Sequence, residues 1–413
     1  MYGVITINEQ ADVIVIGAGA SGMAAAIAAA GRGKSVILLE KNAATGRKLS
    51  VTGNGRCNLM NTGSPRYFGG KTFAEKTLAV TTPAALVSFW RGIGLELRVE
   101  DERRVYPAAG LASVVNDTLR LAMAARGVRV KTGCRADTVS KSDGMFTVGA
   151  DGTAFSAPAL VLSCGGRAQP KTGACGDGYA FAKAFGHTVT ELRPGLAPLV
   201  TDPRSVSGLS GIRVKTAITL YRKDIAEREE QGEALFTEDG LSGICAMSLA
   251  RDAANAECEI RLDLLHGTEL DNNGIADEIK RRRSLFADLP AQDILSGLLH
   301  PRLAYAVCKQ AGLRLRGEKT GELSDPALES IAQTLRGYRM QVKGTKGFDS
   351  CQITVGGVKC DEVDPATMAS RLTPGLYITG ELLDVDGDCG GFNLMFEFAG
   401  GLAAGAAASE YVS

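Results

Sequence analysis

One stretch near the start limits the fold more than any other: Ala11-Asp-Val-Ile-Val-Ile-Gly17-Ala18-Gly19-Ala20-Ser21-Gly22-Met-Ala-Ala-Ala-Ile27. β-Branched apolar residues run into Gly17, and an Ala-rich run follows Gly22. This order predicts a buried parallel strand, a tight turn and a helix whose N-terminus faces a pyrophosphate. Gly17 permits the turn, Gly19 lets backbone approach phosphate, and Gly22 lets the helix pack closely on the strand. A second apolar run, Ser35 to Glu40, ends in an acid 18 residues beyond Gly22, where a carboxylate receives ribose hydroxyls. Together these features predict a dinucleotide site.

A chain of 413 residues exceeds one compact core, so two or three domains are expected. Lys plus Arg and Asp plus Glu both number 46, so no net field recruits nucleic acid or an anionic membrane. The ten Cys show no C-x-x-C spacing and the three His are scattered, which predicts no metal site and no disulfide framework. The apolar stretch from Val13 to Ala30 is broken by Gly17, Gly19 and Gly22. It reads as strand plus helix, not as a signal or membrane segment. A soluble, cytoplasmic protein is expected.

After Glu40 comes a Gly-, Arg- and Asn-rich loop from Lys41 to Asn58, including Arg47, Lys48, Arg56 and Cys57. Its donors suit continued contact with a polar, anionic cofactor. Pro83 to Gly92 reads as an amphipathic helix, Leu95 to Val105 as a β segment, and Val114 to Met123 as a helix. Gly127 to Thr132 reads as a crossover strand. Val139 and Met145 to Val148 form a hairpin around Lys141 to Gly144. Ala159 to Leu162 is a buried strand opening into Ser163, Cys164 and Gly165. Asp177 precedes a helical run and is either an N-cap or a second carboxylate on the cofactor. From about Glu191 the chain becomes β-like, with a polar, glycine-bearing loop from Gly232 to Gly243. Asn272 to Leu335 reads as helices broken near Pro290, Pro301 and Pro326. Cofactor-like chemistry then returns. Gly375 to Glu381 is a short strand ending in Gly380 and an acid, and Gly390, Gly391, Phe392, Asn393 and Leu394 lead into a small-residue helix. A helix N-terminus there suits a partly anionic ring.

These residues resemble the BaiN/YhiN-like flavoproteins of the two-dinucleotide-fold superfamily. That group includes bile-acid Δ4,6-reductases and aminoacetone oxidases. The resemblance rests on Gly46 to Asn58, Val105-Tyr106-Pro107, Thr172 to His187, Gly232 to Gly243 and Gly380 to Asn393. It implies an α/β chain in which a Rossmann-like FAD-binding domain is interrupted by an inserted β-rich, barrel-like part and a helical part. The divisions fall at 1–190, 191–265, 266–345 and 346–413. It also implies non-covalent FAD. Gly17, Ala18, Gly19, Ala20, Ser21 and Gly22 would meet the pyrophosphate, Glu40 the adenosine ribose and Ala136 the adenine. Lys41, Arg47, Lys48, Arg56, Cys57, Asn58, Ser163, Cys164, Gly165 and Asp177 would line the groove. Gly380 and Glu381 would hold the ribityl or pyrophosphate region, and Gly391 to Leu394 the flavin edge. Two departures stand out. The family's Phe-Thr-His-x-Gly-x-Ser-Gly-Pro loop is here Phe236-Thr-Glu238-Asp-Gly-Leu-Ser-Gly-Ile244, and Cys389 replaces another small polar residue.

No second G-x-G-x-x-G with strand and terminal acid occurs downstream. NAD(P)H is therefore expected to act transiently at the open flavin face. The leading expectation is reduction of a C=C bond conjugated to a carbonyl in a steroid-like or other apolar small molecule. Arg56 and Tyr106 are candidate donors, although Arg56 also suits a cofactor ligand and Tyr106 a packing position. The alternatives are an amine oxidase using O2, with Glu238 holding an ammonium, and a flavin-binding module or nucleic-acid-modifying flavoprotein.

Overall fold

The computed structural model describes residues 7–254, 257–270 and 272–413. It contains two compact units, one formed by the chain up to Arg193 together with Gln352–Ser413, the other by Pro194–Cys351.

The first unit is built on a five-stranded parallel sheet in the order Leu376–Ile378, Ala159–Leu162, Val13–Ile16, Val36–Glu40, Arg129–Thr132. The four residues of Val13–Ile16 are all buried, which explains their continuous apolar run: a central parallel strand is covered on both faces. Burial of each such side chain contributes roughly 1.5–3 kcal/mol. Ile16 pairs with both Leu39 and Leu162, and Leu162 pairs with Ile378. Gly17, Ser163 and Thr379 therefore leave the sheet side by side at its carboxyl edge, where ligands of open α/β sheets bind.

Helix Ala20–Ala30 follows the first of these exits, and the C-terminal helix Phe392–Tyr411 lies against it. A Cβ on Gly401 would overlap Ser21 O, and one on Gly405 would overlap Ala25 O. The small residues of the C-terminal helix thus permit close helix approach. A second sheet in the same unit pairs Ile7–Gln10, Thr153–Ala157, Met145–Ala150 and Ala136–Ser142. Helix Ala112–Ala125 turns Val115, Leu119 and Met123 inward, whereas Leu121 is exposed.

The second unit holds a closed six-stranded barrel of Leu199–Thr201, Gly240–Ser242, Ile225–Phe236, Arg213–Arg222, Cys258–Asp263 and Tyr338–Thr345. Alternation sets its inner face: Cys258, Ile260 and Leu262 are buried, as are Tyr338, Met340 and Val342. Helices Asn272–Leu285, Pro301–Gln310 and Asp325–Arg336 lie in the chain between the last two barrel strands.

Two expectations change here. Gly232 to Gly243 is not a loop, because residues 232–236 end one barrel strand and 240–242 form the next. Residues 338–345, read as the end of a helical domain, close the barrel by pairing with both Cys258–Asp263 and Leu199–Thr201. The helical part clusters with the barrel as one unit.

Candidate functional site

The turn after Val13–Ile16 separates glycines the fold demands from one it does not. Gly17 has φ +102°, and a Cβ on it would come within 2.5 Å of Ser163 O. A Cβ on Gly22 would overlap Gly17 O and press on Ser163 Oγ at 2.5 Å. At Gly19 an added Cβ meets nothing within 4 Å. Gly19 is also the N-cap of helix Ala20–Ala30 and supplies no side-chain cap. Open space therefore faces a helix N-terminus whose first N–H groups lack a side-chain acceptor, a setting suited to an anion.

Glu40 is buried beneath this turn. Its Oε2 accepts the Ala18 N–H at 2.8 Å, while Oε1 accepts Asn42 N–H at 2.8 Å and Asn42 Nδ2 at 2.7 Å. The acid thus braces the glycine turn. About four acceptor positions exist on a carboxylate, so room remains for a ribose hydroxyl. Lys41 Nζ donates to Asp177 Oδ2 at 2.6 Å, and Arg135 lies 3.7 Å from the other oxygen. Asp177 is not an N-cap: Gly176 holds that place with φ +83°, and Asp177 opens the first turn of Asp177–Ala184. Ala136 is buried at the start of the second sheet, and Arg47 is exposed with Nη1 3.4 Å from Asn42 Oδ1.

Farther along the carboxyl edge, Lys48 Nζ pairs with the buried Glu381 carboxylate. Glu381 Oε1 accepts Thr354 N–H at 2.9 Å and Thr354 Oγ1 at 2.8 Å. Thr354 Oγ1 in turn accepts the N–H groups of Arg167 at 2.8 Å and Ala168 at 3.1 Å. One carboxylate thus ties four separated segments together. Ser163 Oγ is used by the fold, donating to Ile16 O at 2.9 Å and Gly17 O at 3.0 Å. Gly165 has φ +72° with open space around an added Cβ.

The loop ending at Asn58 carries left-handed backbone at Gly53, Asn54, Gly55 and Cys57, with φ +55°, +55°, +79° and +59°. Two of these residues are not glycine, a strain of the kind that collects at functional sites. Asn58 is buried, and its Oδ1 has no hydrogen-bond partner among the described residues. A buried amide oxygen left unpaired costs about 1–3 kcal/mol, so this one calls for a donor from a ligand. A Cβ on Gly391 would lie 2.8 Å from that oxygen and 2.6 Å from Met60 O. Gly391 is the uncapped N-cap of helix Phe392–Tyr411. The Asn393 side chain is taken up by the loop before it, accepting from Gly387 N–H at 2.8 Å and donating to Gly387 O at 2.9 Å. Phe392 is buried and Leu394 partly so.

Of the donor candidates, Arg56 Nη2 pairs with Glu100 Oε1 at 2.5 Å, and its guanidinium lies 4.2 Å over the Tyr106 ring. The buried Tyr106 ring thus serves as a platform for Arg56. Glu238 is exposed on the turn between two barrel strands of the second unit. Burial pushes the Cys57 and Cys164 thiols up to about 12 each, and raises Cys389 as well. Among the described residues no group of three or more His, Cys, Asp or Glu is placed to hold a metal ion. No helix of the described residues is long and apolar enough to cross a membrane.

Sequence reasoning missed Asn42 and Thr354. Asn42 is an ordinary polar loop residue two positions from Glu40, and the partners of Thr354 lie far away in sequence. Glu397 is the only charged residue between Phe392 and Ser409.

The open Gly19 face, the orphaned Asn58 oxygen and the uncapped helix at Gly391 fit an extended dinucleotide with a second polar ring system. Comparison with known proteins agrees. The family described as HI0933-like protein Rossmann domain matches residues 11–407. The chain is 33% identical over 412 residues to the 3-dehydro-bile acid delta(4,6)-reductase of Clostridium scindens, covering 96% of this chain and 98% of that one. It is 26% identical over 405 residues to the ribosomal RNA dihydrouridine synthase of Escherichia coli, covering 95% and 96%. An open flavocytochrome c3 fumarate reductase structure matches with TM-score 0.51 at 18% identity, over 98% of this chain and 79% of that one, a likeness of fold.

Proposed function

The chain belongs to the HI0933-like family of FAD-dependent oxidoreductases, and we propose that it reduces a C=C bond conjugated to a carbonyl in an apolar small molecule, with NAD(P)H as donor. The observation that carries this reading is full-length similarity to a reductase named for such bonds in a bile acid. The second relative supports the bond type: the uridine double bond that a dihydrouridine synthase reduces is also conjugated to a carbonyl.

Charge favours the small substrate over RNA. Residues 194–351 carry 21 Lys and Arg against 23 Asp and Glu, and the whole chain is balanced. An RNA-binding unit is expected to carry a basic surplus. Glu238, needed by the amine-oxidase reading, stands exposed on a barrel turn, which also supports the ene-reductase reading.

FAD supplies the hydride chemistry when bound. The residues that would hold it are the Gly17–Gly22 turn at the pyrophosphate, Glu40 and Ala136 at the adenosine, Lys48 and Glu381 along the middle, and Asn58 with Gly391–Leu394 at the ring. Asn58 Oδ1, unpartnered among the described residues, would accept a donor from the ring, and the N–H groups after Gly391 would favour negative charge beside them. Arg56, fixed by Glu100 and Tyr106, keeps a cation at the loop that bears Asn58. Both thiols are raised and stay protonated near neutral pH, so Cys57 and Cys389 take no part as thiolates. With no second nucleotide fold in the sequence, the nicotinamide donor and the substrate take turns at one face.

The test is anaerobic. NADH or NADPH is expected to bleach the flavin band, with no stable complex holding donor and enone together. Bleaching by aminoacetone alone would overturn the reading in favour of amine oxidation.

A further inference from the structure

Glu397 has no role in the fold that its contacts disclose. It sits in the second turn of helix Phe392–Tyr411, among Phe392, Met395, Phe396 and Phe398 in sequence. Among the described residues, no donor forms a hydrogen bond to its carboxyl. The side chain is partly buried and keeps accessible surface.

Helix packing shows where it lies. Gly405 lies over Ala25 and Gly401 over Ser21, so the two helices run side by side in the same direction. Four residues before Gly401, about 6 Å back along the axis, Glu397 is level with the Gly17–Gly19 turn and beyond the first helical residue, Ala20. A Cβ on Gly380 would stand 4.0 Å from Glu397 Cγ, which ties the side chain to the same edge. That edge borders the uncapped start of helix Ala20–Ala30, since the same Cβ on Gly380 would press on Ser21 Oγ.

A carboxylate there would repel an anionic cofactor; a carboxylic acid would donate to it. The charged and titratable groups bearing on Glu397 are Glu381 from the edge after Leu376–Ile378, and Lys48 and the Cys57 thiol from the loop before Asn58. Lys48 is already paired with Glu381. With Glu397 neutral the three charged residues sum to zero; with it ionised they carry one negative charge.

We propose that Glu397 enters the cofactor complex as a neutral carboxylic acid that donates its hydrogen to an oxygen of the dinucleotide, so that wherever the free protein holds it ionised, cofactor binding takes up a proton. The inference rests on the reading of this edge as the FAD site. Electrostatics agree: burial first, then the Glu381 carboxylate, push the Glu397 carboxyl up to about 7, against a downward pull from Lys48.

The test is the proton count on FAD binding, obtained by titration calorimetry of flavin-stripped protein in buffers of different ionisation enthalpy. Wild type should take up close to one proton per FAD at about pH 8 and almost none at about pH 6. Its dissociation constant should rise about tenfold per pH unit above neutrality. Glu397→Gln, which keeps an N–H donor, should bind FAD with no proton uptake and a flat profile. Holoprotein gives a second readout: an infrared band of a protonated carboxyl at about pH 8, missing in Glu397→Gln. FAD binding with no uptake in wild type, or the same uptake in Glu397→Gln, overturns the proposal while leaving the FAD site standing. Failure of wild type to bind FAD at any pH overturns the FAD reading itself.

Discussion

Glu40 Oε2 accepts the backbone N–H of Ala18 at 2.8 Å, so the acid ending one strand fixes the glycine turn that follows its neighbour. Three donors converge on this carboxylate. Glu40→Gln places an NH2 group where only acceptors fit, and should cost about 1–3 kcal/mol of stability as well as weakening FAD binding. Urea denaturation of the flavin-free protein checks the first effect. Unchanged stability with weakened FAD would mean that Glu40 acts on ribose alone.

Gly19 and Gly22 should respond oppositely to the same substitution. Gly22→Ala forces a methyl into Gly17 O and should lower stability by several kcal/mol or prevent folding. Gly19→Ala meets no protein atom and should leave the denaturation midpoint of flavin-free protein nearly unchanged, yet weaken FAD binding at least tenfold. Measuring both quantities on each variant separates the demands of the fold from those of the ligand.

That contrast also marks how far the sequence could be read. Glycine spacing, the strand run Val13–Ile16 and the acid at Glu40 are local signals, and all three lie where local rules place them. The strand and acid at Gly375–Glu381 and the helix after Gly391 were legible for the same reason. The strand that closes the barrel was not, because alternation in Tyr338–Thr345 marks a strand without naming its partner, and the partner at 199–201 lies far away in the chain. The hydrogen-bond network through Thr354 was invisible on the same ground. The pairing of Asp177 with Lys41, 136 residues apart, was invisible for the same reason.

His187 should give the protein a stability loss on the mildly acid side. Its ring is buried, with Nδ1 3.1 Å from Glu362 Oε2 and Nε2 2.7 Å from Ser370 Oγ. Burial holds the imidazole below its ordinary value near 6.5, against an upward pull from Glu362. The unfolded chain therefore takes up the proton first. Stability is complete above about pH 6.5 and is lost as pH falls through that value toward the lower folded one. Thermal melts from about pH 7.5 to 5 should show this slope, and His187→Gln should flatten it while costing about 1–3 kcal/mol at neutral pH. An unchanged slope in the variant would assign the loss to other groups.

Alkylation should spare the site. Cys175 is exposed, whereas Cys57 is buried and its thiol, like that of Cys164, is pushed up to about 12. Mild iodoacetamide at neutral pH should label Cys175 first and leave flavin reduction intact. Loss of reduction in step with labelling of Cys57 or Cys389 would restore a redox role for those thiols.

The most direct measurement is anaerobic reoxidation of the reduced holoprotein. Mixed with a 3-oxo bile acid carrying a 4,6-diene, the flavin band should return with one C=C bond saturated per flavin, while a uridine-containing ribosomal RNA fragment leaves it bleached. Return of the band with the RNA and not with the enone would contradict the small-molecule reductase assignment.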